Sequence, residues 1–143
     1  MRTKFTLLVA GVSLGLLTAP APVLAHHSFA AEFDANKPVK LRGTVTRVEW
    51  INPHTWIHIN VKNADGTATE WMIEGGTPNT LLRRGIDRNS LPTGTEVVVD
   101  GYQAKSGTNR ANGRDLTLAD GRKLFMGSSG TGAPTDGRDP SGK

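Results

Sequence analysis

Alternating apolar and polar positions recur along the middle of the chain and predict β-strands. The stretches with this two-residue period are residues 39–51, 55–61, 67–74, 95–104 and a final segment around 115–125. Such a period turns one face of each strand towards a core and the other towards solvent. Gly43 indicates a bend in the first strand, and a turn at residues 119–121 interrupts the last. We therefore expect a fold built mainly from strands.

One short helix is predicted between the third and fourth strands. Thr77 is placed to cap its N-terminus, Pro78 suits its first position and Gly85 ends it. Three strands, a helix and two further strands form the element order of an OB-like β-barrel, an all-β fold of five strands. A β-sandwich and a simple meander are alternatives with the same strand content.

The same period assigns side chains to the two faces of the strands. The predicted core comprises Ile57, Ile59, Val61, Trp71, Ile73, Val97, Val99, Leu116 and Leu118. Trp56 and His58 fall on the opposite face of the second strand, as does Met72 on the third. Trp56 fits the core pattern least well; it lines a binding surface, covers the arm or caps an open end of the barrel. Trp56, His58 and Met72 form the predicted surface for a ligand or a partner.

The first 25 residues have the pattern of an export signal. Two basic residues precede an uncharged apolar run over residues 5–17, and Val23 and Ala25 supply the small side chains that favour cleavage before His26. The run is shorter than the ~20 residues that span a membrane. We therefore expect a periplasmic or secreted protein without a transmembrane segment in the mature chain.

The expected organisation has four parts. These are a signal peptide (residues 1–25), an N-terminal arm (26–38), an OB-like domain (39–126) and a disordered tail (127–143) rich in glycine, serine and threonine. Loss of the signal removes two of the 17 basic residues and none of the 13 acidic ones, which lowers the net charge of +4 by two. A chain so close to neutrality gives little reason to expect nucleic acid as a partner. The absence of cysteine excludes disulfides and thiolate metal sites.

The four histidines carry the most informative chemistry. His26 and His27 would begin the processed chain, and His54 and His58 lie on either side of Trp56. An N-terminal histidine can chelate a metal ion through its amine, of pKa ~8, and its imidazole, of pKa ~6.5. A further imidazole completes a nitrogen-rich set that favours Cu(II). The predicted site is His26 with His54, and His27 is an alternative ligand.

Distance limits the part that His58 can play. If residues 54–58 are extended, the α-carbons of His54 and His58 lie ~13 Å apart, whereas ligand bonds to one ion are only ~2 Å long. We expect His58 to be a surface residue beside Met72 or part of a weaker second site. The alternative for all the histidines is structural: the first two are solvated, and His54 supports the turn after Pro53.

No other pattern indicates catalysis. Nothing in the sequence brings together any two of the acidic candidates Glu32, Asp34, Glu70 and Glu74. We therefore expect a non-catalytic binding protein, either one that binds copper or a metal-independent module for an envelope protein or small ligand. A copper redox enzyme is the least favoured class.

Several motifs are spread along the chain. They are HHSFAAEFD at residues 26–34, GTV at 43–45, EWINPH at 49–54, GTPN at 76–79, RNSL at 88–91, GYQAK at 101–105 and LADGRK at 118–123. Together they resemble a family of small exported proteobacterial proteins of unknown function, up to about Gly127. The resemblance implies export and a single small β-barrel, and its motifs include His26, His27 and His54.

The position of signal cleavage is directly testable. When the full chain is exported by its own signal, we expect intact-mass spectrometry to show a mature protein that begins at His26. A mature N-terminus at any other residue would contradict the predicted amine ligand.

Overall fold

The computed structural model describes residues 29–127. The predicted signal peptide, His26, His27 and the tail after Gly127 lie outside the described residues. The elements are α1 (Phe29–Glu32), β1 (Phe33–Glu49), β2 (Trp56–Lys62), β3 (Ala68–Glu74), α2 (Pro78–Arg83), β4 (Glu96–Ala104), β5 (Arg110–Leu118) and β6 (Lys123–Phe125). In this part of the chain, neither helix has the length and apolarity needed to cross a membrane.

Five of the strands pair into a closed ring. β1 pairs antiparallel with β2 and β4, β2 with β3, and β4 with β5, while a parallel pairing of β3 with β5 closes the ring. β6 pairs antiparallel with residues 115–117 of β5, on the edge that β3 occupies at residues 110–112. The all-β class is thereby confirmed, and α2 lies between the third and fourth strands as the sequence predicted.

The core fills the inside of this ring. Ile57 and Ile59 of β2 and Ile73 of β3 are fully buried, at the alternating positions that the sequence indicated. Trp71 and Val61 are only partly buried and pack against the same core. The two-residue period therefore identifies the inward face of both strands.

β1 is longer than expected and begins inside the predicted arm. It starts at Phe33, six residues early, and ends at Glu49. The register with β2 slips between Val45 and Arg47, and the register with β4 slips between Phe33 and Pro38, so neither irregularity lies at Gly43. Gly43 instead allows β1 and β2 to approach closely, because a Cβ at this position would lie 2.7 Å from the carbonyl oxygen of Asn60.

The segment that precedes β1 packs on the ring through a second, smaller apolar cluster. The rings of Phe29 and Tyr102 meet edge to face, with centroids 5.4 Å apart, and Phe33 and Ala104 join them. The backbone N–H of Lys105 donates to the carbonyl oxygen of Glu32 at 2.9 Å. Residues 29–38, predicted as an arm, thus form α1 and the first part of β1.

The sequence signals around α2 are confirmed. The Thr77 side chain accepts a hydrogen bond from the backbone N–H of Thr80 at 3.1 Å, and Pro78 is the first helical residue. Gly85 follows the helix with a φ of 77°, a conformation that glycine adopts without strain. Leu81 is the buried residue that attaches the helix to the core.

The last strands differ from the prediction. β5 begins at Arg110, within the expected loop at residues 106–113, and the turn at residues 119–121 separates it from β6. Glycine and asparagine at residues 112–113 made this segment resemble a loop. Its pairing with both β3 and β4 overrides that weak strand propensity.

Aspartate side chains close two of the turns. The Thr67 hydroxyl, and then the Thr67 backbone N–H, donate to Asp65 and hold the pKa of that carboxyl below its usual value of 3.8. Hydrogen bonds from the Ser90 hydroxyl and then the Asn89 backbone lower the pKa of Asp87 likewise. Because folding favours the ionised form, the turns contribute this stability above pH 3.8 and lose it as the pH falls through the lowered values.

The core assignment predicts unequal effects at two nearby isoleucines. Ile57→Ala removes a fully buried side chain and should lower the free energy of unfolding by about 2–5 kcal/mol. Ile51→Ala, at a position that is 50% exposed, should change it by less than about 0.5 kcal/mol. Urea denaturation monitored by circular dichroism measures both, and equal effects would contradict the assigned core.

Candidate functional site

A row of cross-strand neighbours lies on the outer face of the ring and organises the candidate site. Tyr102 of β4 pairs with Asn112 of β5, Asn112 with Glu74 of β3, Glu74 with Trp56 of β2, and Trp56 with Glu49 of β1. We call these five residues the Glu74 row. The row contains Tyr102, on which α1 packs, and therefore connects the N-terminal part of the described chain with the start of β2.

His54 lies beside this row in a fixed position. It follows the cis Asn52–Pro53 bond and is 8% exposed. The next residue, Thr55, donates its backbone N–H to Gly76 at 3.0 Å and accepts one from Gly75 at 2.8 Å. These bonds continue the β2–β3 pairing by one residue pair beyond Trp56 and Glu74. They join the backbone next to His54 to the backbone next to Glu74.

Glu74 is the acidic neighbour of His54. Its Oε1 lies 3.7 Å from Nδ1 of His54, longer than a hydrogen bond but within ion-pair distance. The side-chain amide of Asn112 donates to the same oxygen at 3.3 Å. Glu74 is only 5% exposed, and a carboxylate so buried needs polar partners to offset its lost hydration.

Trp56 lies on the outer face, as expected, but is partly covered. The guanidinium of Arg110 stacks 4.8 Å from the centre of its ring, and Arg110 also lies 3.8 Å from Glu32 of α1. Met72 pairs with both His58 and Arg110. The predicted ligand surface is therefore half-buried at Trp56 and Met72 rather than open.

His58 is placed differently from the surface position expected of it. It neighbours Met72 as predicted, but it is fully buried. Its Nε2 lies 2.9 Å from Oε1 of Glu49, and its Nδ1 lies 3.1 Å from Oε1 of Glu70. Arg47 reaches 3.3 Å from Nδ1 and also pairs with Glu49 at 2.9 Å. Both ring nitrogens thus face charged side chains of neighbouring strands.

The two histidines in the described part of the chain have different acidic neighbours. His54 is accompanied by Glu74, and His58 by Glu49 and Glu70. Between residues 29 and 127, no group of three or more histidine or acidic side chains is arranged to hold a metal ion. A site with three or more ligand groups at His54 therefore needs ligands from beyond these residues, and His26 and His27 lie there.

Sequence reasoning missed the partners of both histidines. The sequence offers Glu74 and Glu70 only as acidic candidates without neighbours, and its composition predicts a loop around Asn112. The outward face of the third strand carried a signal for both glutamates, because Trp56 and His58 share that face on the adjacent strand. The information that was lacking is the strand register, which pairs Glu74 with Trp56 on one side and with Asn112 on the other.

The chain belongs to DUF6152, a family of unknown function, whose family model matches residues 14–113. This confirms the resemblance to an uncharacterised family. The match begins within the predicted signal peptide and ends in β5, earlier than the limit near Gly127 that the motifs indicated. Comparisons with curated proteins and with solved structures gave no match.

The environment of His58 predicts energetic coupling to Glu70. His58→Gln should lower the free energy of unfolding by about 1–3 kcal/mol, because a buried polar contact is lost. In a double-mutant cycle with Glu70→Gln, we expect a coupling of at least about 0.5 kcal/mol, measured by urea denaturation. Strictly additive effects would show that the 3.1 Å contact contributes nothing to stability.

Proposed function

We propose that this member of DUF6152 is an exported, non-catalytic copper-binding protein of the periplasm or the extracellular space. The amine and imidazole of a mature N-terminal His26 would hold Cu(II) together with the imidazole of His54. His27 is the alternative ligand near the N-terminus.

The position of Phe29 is the observation that carries this proposal. Phe29 packs on Tyr102, a member of the Glu74 row, and Tyr102 is two strands away from Glu74. Neighbouring strands are about 4.8 Å apart, so this distance is roughly 10 Å. His26 precedes Phe29 by three residues, which can span up to about 11 Å. The chain before α1 is therefore comparable in length with the distance between Tyr102 and Glu74, and this supports a place for His26 near the Glu74 row.

The chemistry of the ligands selects the metal. One amine and two imidazoles form a set of nitrogen donors that suits the tetragonal geometry of Cu(II). The chain offers no thiolate that would favour zinc or Cu(I), because it lacks cysteine. Both kinds of nitrogen are available as neutral ligands near neutral pH.

The backbone bonds of Thr55 and Gly75 also support the choice of His54 over His58. They attach the backbone next to His54 to the segment after β3, so the position from which the imidazole extends is fixed. His58 has charged side chains within 3.3 Å of both ring nitrogens and is fully buried. A metal ion could reach His58 only by displacing Glu49, Glu70 or Arg47.

The test is a Cu(II) titration of the chain after export and processing by its own signal. We expect tight one-to-one binding and an EPR spectrum of a tetragonal, nitrogen-rich site. A form with one extra residue before His26 displaces the amine and should lose that spectrum. His54→Gln should weaken binding at least about tenfold, whereas the matched variant His58→Gln should leave it within about twofold.

Equal and weak binding by the processed and extended forms would overturn the copper proposal. The function would then be that of a metal-independent module for an envelope protein or a small ligand. Trp56 and Met72, with the half-exposed Ile51 in the loop before β2, are the first surface to examine in that case.

A further inference from the structure

We infer that Glu74 is a fourth ligand of the copper ion and supplies an oxygen donor beside the imidazole of His54. This inference rests on the proposed copper site and adds a residue to it. Glu74 comes near His54 through the pairing of β2 with β3, which brings together residues 20 positions apart in the sequence.

The separation of the two side chains is longer than a direct hydrogen bond and is compatible with a shared ion. Nδ1 of His54 and Oε1 of Glu74 are 3.7 Å apart, beyond the ~3.2 Å limit of an N–H···O bond. Two donors that each bind one ion at about 2.0 Å lie about 2.8 Å apart when adjacent and about 4 Å apart when opposite. The observed distance falls between these values, so one ion can fit with small side-chain movements.

The surroundings of Glu74 are those of a supported metal ligand. The Asn112 amide donates to Oε1 at 3.3 Å and so orients the carboxylate, as hydrogen bonds to ligands do in established metal sites. The carboxylate is 5% exposed, so an ion bound to it would be largely shielded from solvent. Carboxylate oxygen is an accepted donor to Cu(II) in mixed nitrogen and oxygen sets.

The two ligands are also carried on one rigid unit. Trp56 pairs with Glu74, and the next step of the ladder consists of the Thr55 bonds to Gly75 and Gly76. Gly76 in turn donates to the carbonyl oxygen of Met126 at 2.7 Å. The positions of His54 and Glu74 relative to each other are therefore set by backbone bonds before any metal binds.

The experiment compares Glu74→Gln with Glu70→Gln in the processed chain. The two substitutions remove the same charge from the outer face of the same strand, but Glu70 contacts His58 instead of His54. We expect Glu74→Gln to weaken Cu(II) binding about tenfold or more and to change the EPR parameters while the nitrogen couplings persist. Glu70→Gln should keep the affinity within about twofold and leave the spectrum unchanged.

Two further measurements distinguish the loss of a carboxylate ligand from a failure of the variant to fold. Glu74→Asp retains a carboxylate one methylene shorter, and we expect its spectrum to resemble that of the wild type more closely than that of Glu74→Gln. Circular dichroism and thermal melting of the metal-free variants show whether each one folds.

If Glu74→Gln weakens binding but leaves the spectrum of the wild type, Glu74 orients His54 from outside the coordination sphere, and the inference is wrong. It is also wrong if both affinity and spectrum are unchanged while binding still needs the free N-terminus. Failure of the copper proposal itself looks different, because the processed and extended forms would then bind equally.

Discussion

The parallel pairing of β3 with β5 is the contact on which the candidate site depends. It closes the ring and aligns Met72 with Arg110, Ile73 with Ala111, and Glu74 with Asn112. A carbonyl of the preceding loop, that of Asn109, accepts the backbone N–H of Met72 at 3.0 Å. Without this closure β3 would be an exposed edge, and Glu74 would lack the amide that holds its carboxylate. The pairing of β3 with β5 therefore both closes the ring and positions the candidate site.

The outer face shows how a small domain accommodates histidines next to a sheet. Each described histidine lies beside a glutamate of β3, but their environments differ. His58 is enclosed between Glu49 and Glu70 with Arg47 alongside, so its contacts serve the sheet itself. His54 lies two residues before β2 begins, beside Glu74 at the end of β3. Position along the strand, not residue type, separates a structural histidine from a candidate ligand.

The strand content could be predicted because an alternating pattern is a local consequence of one buried face. Ile57, Ile59 and Ile73 were placed correctly for that reason. Residues 33–38 and 110–113 were missed because proline, glycine and asparagine have low strand propensity. Their strand conformation comes from the pairing of Phe33 with Ala104 and of Asn112 with Tyr102. Such contacts join distant parts of the chain, and a local pattern carries no information about them.

The sequence by itself determined the all-β class, the α2 signals at Thr77, Pro78 and Gly85, and the chemistry of the candidate histidines. These properties depend on side-chain chemistry and on neighbours within a few residues. The tertiary structure alone decided that His58 is buried and that His54 is accompanied by Glu74. Burial and cross-strand neighbours depend on register, and register is settled by the closure of the whole ring rather than by any one strand.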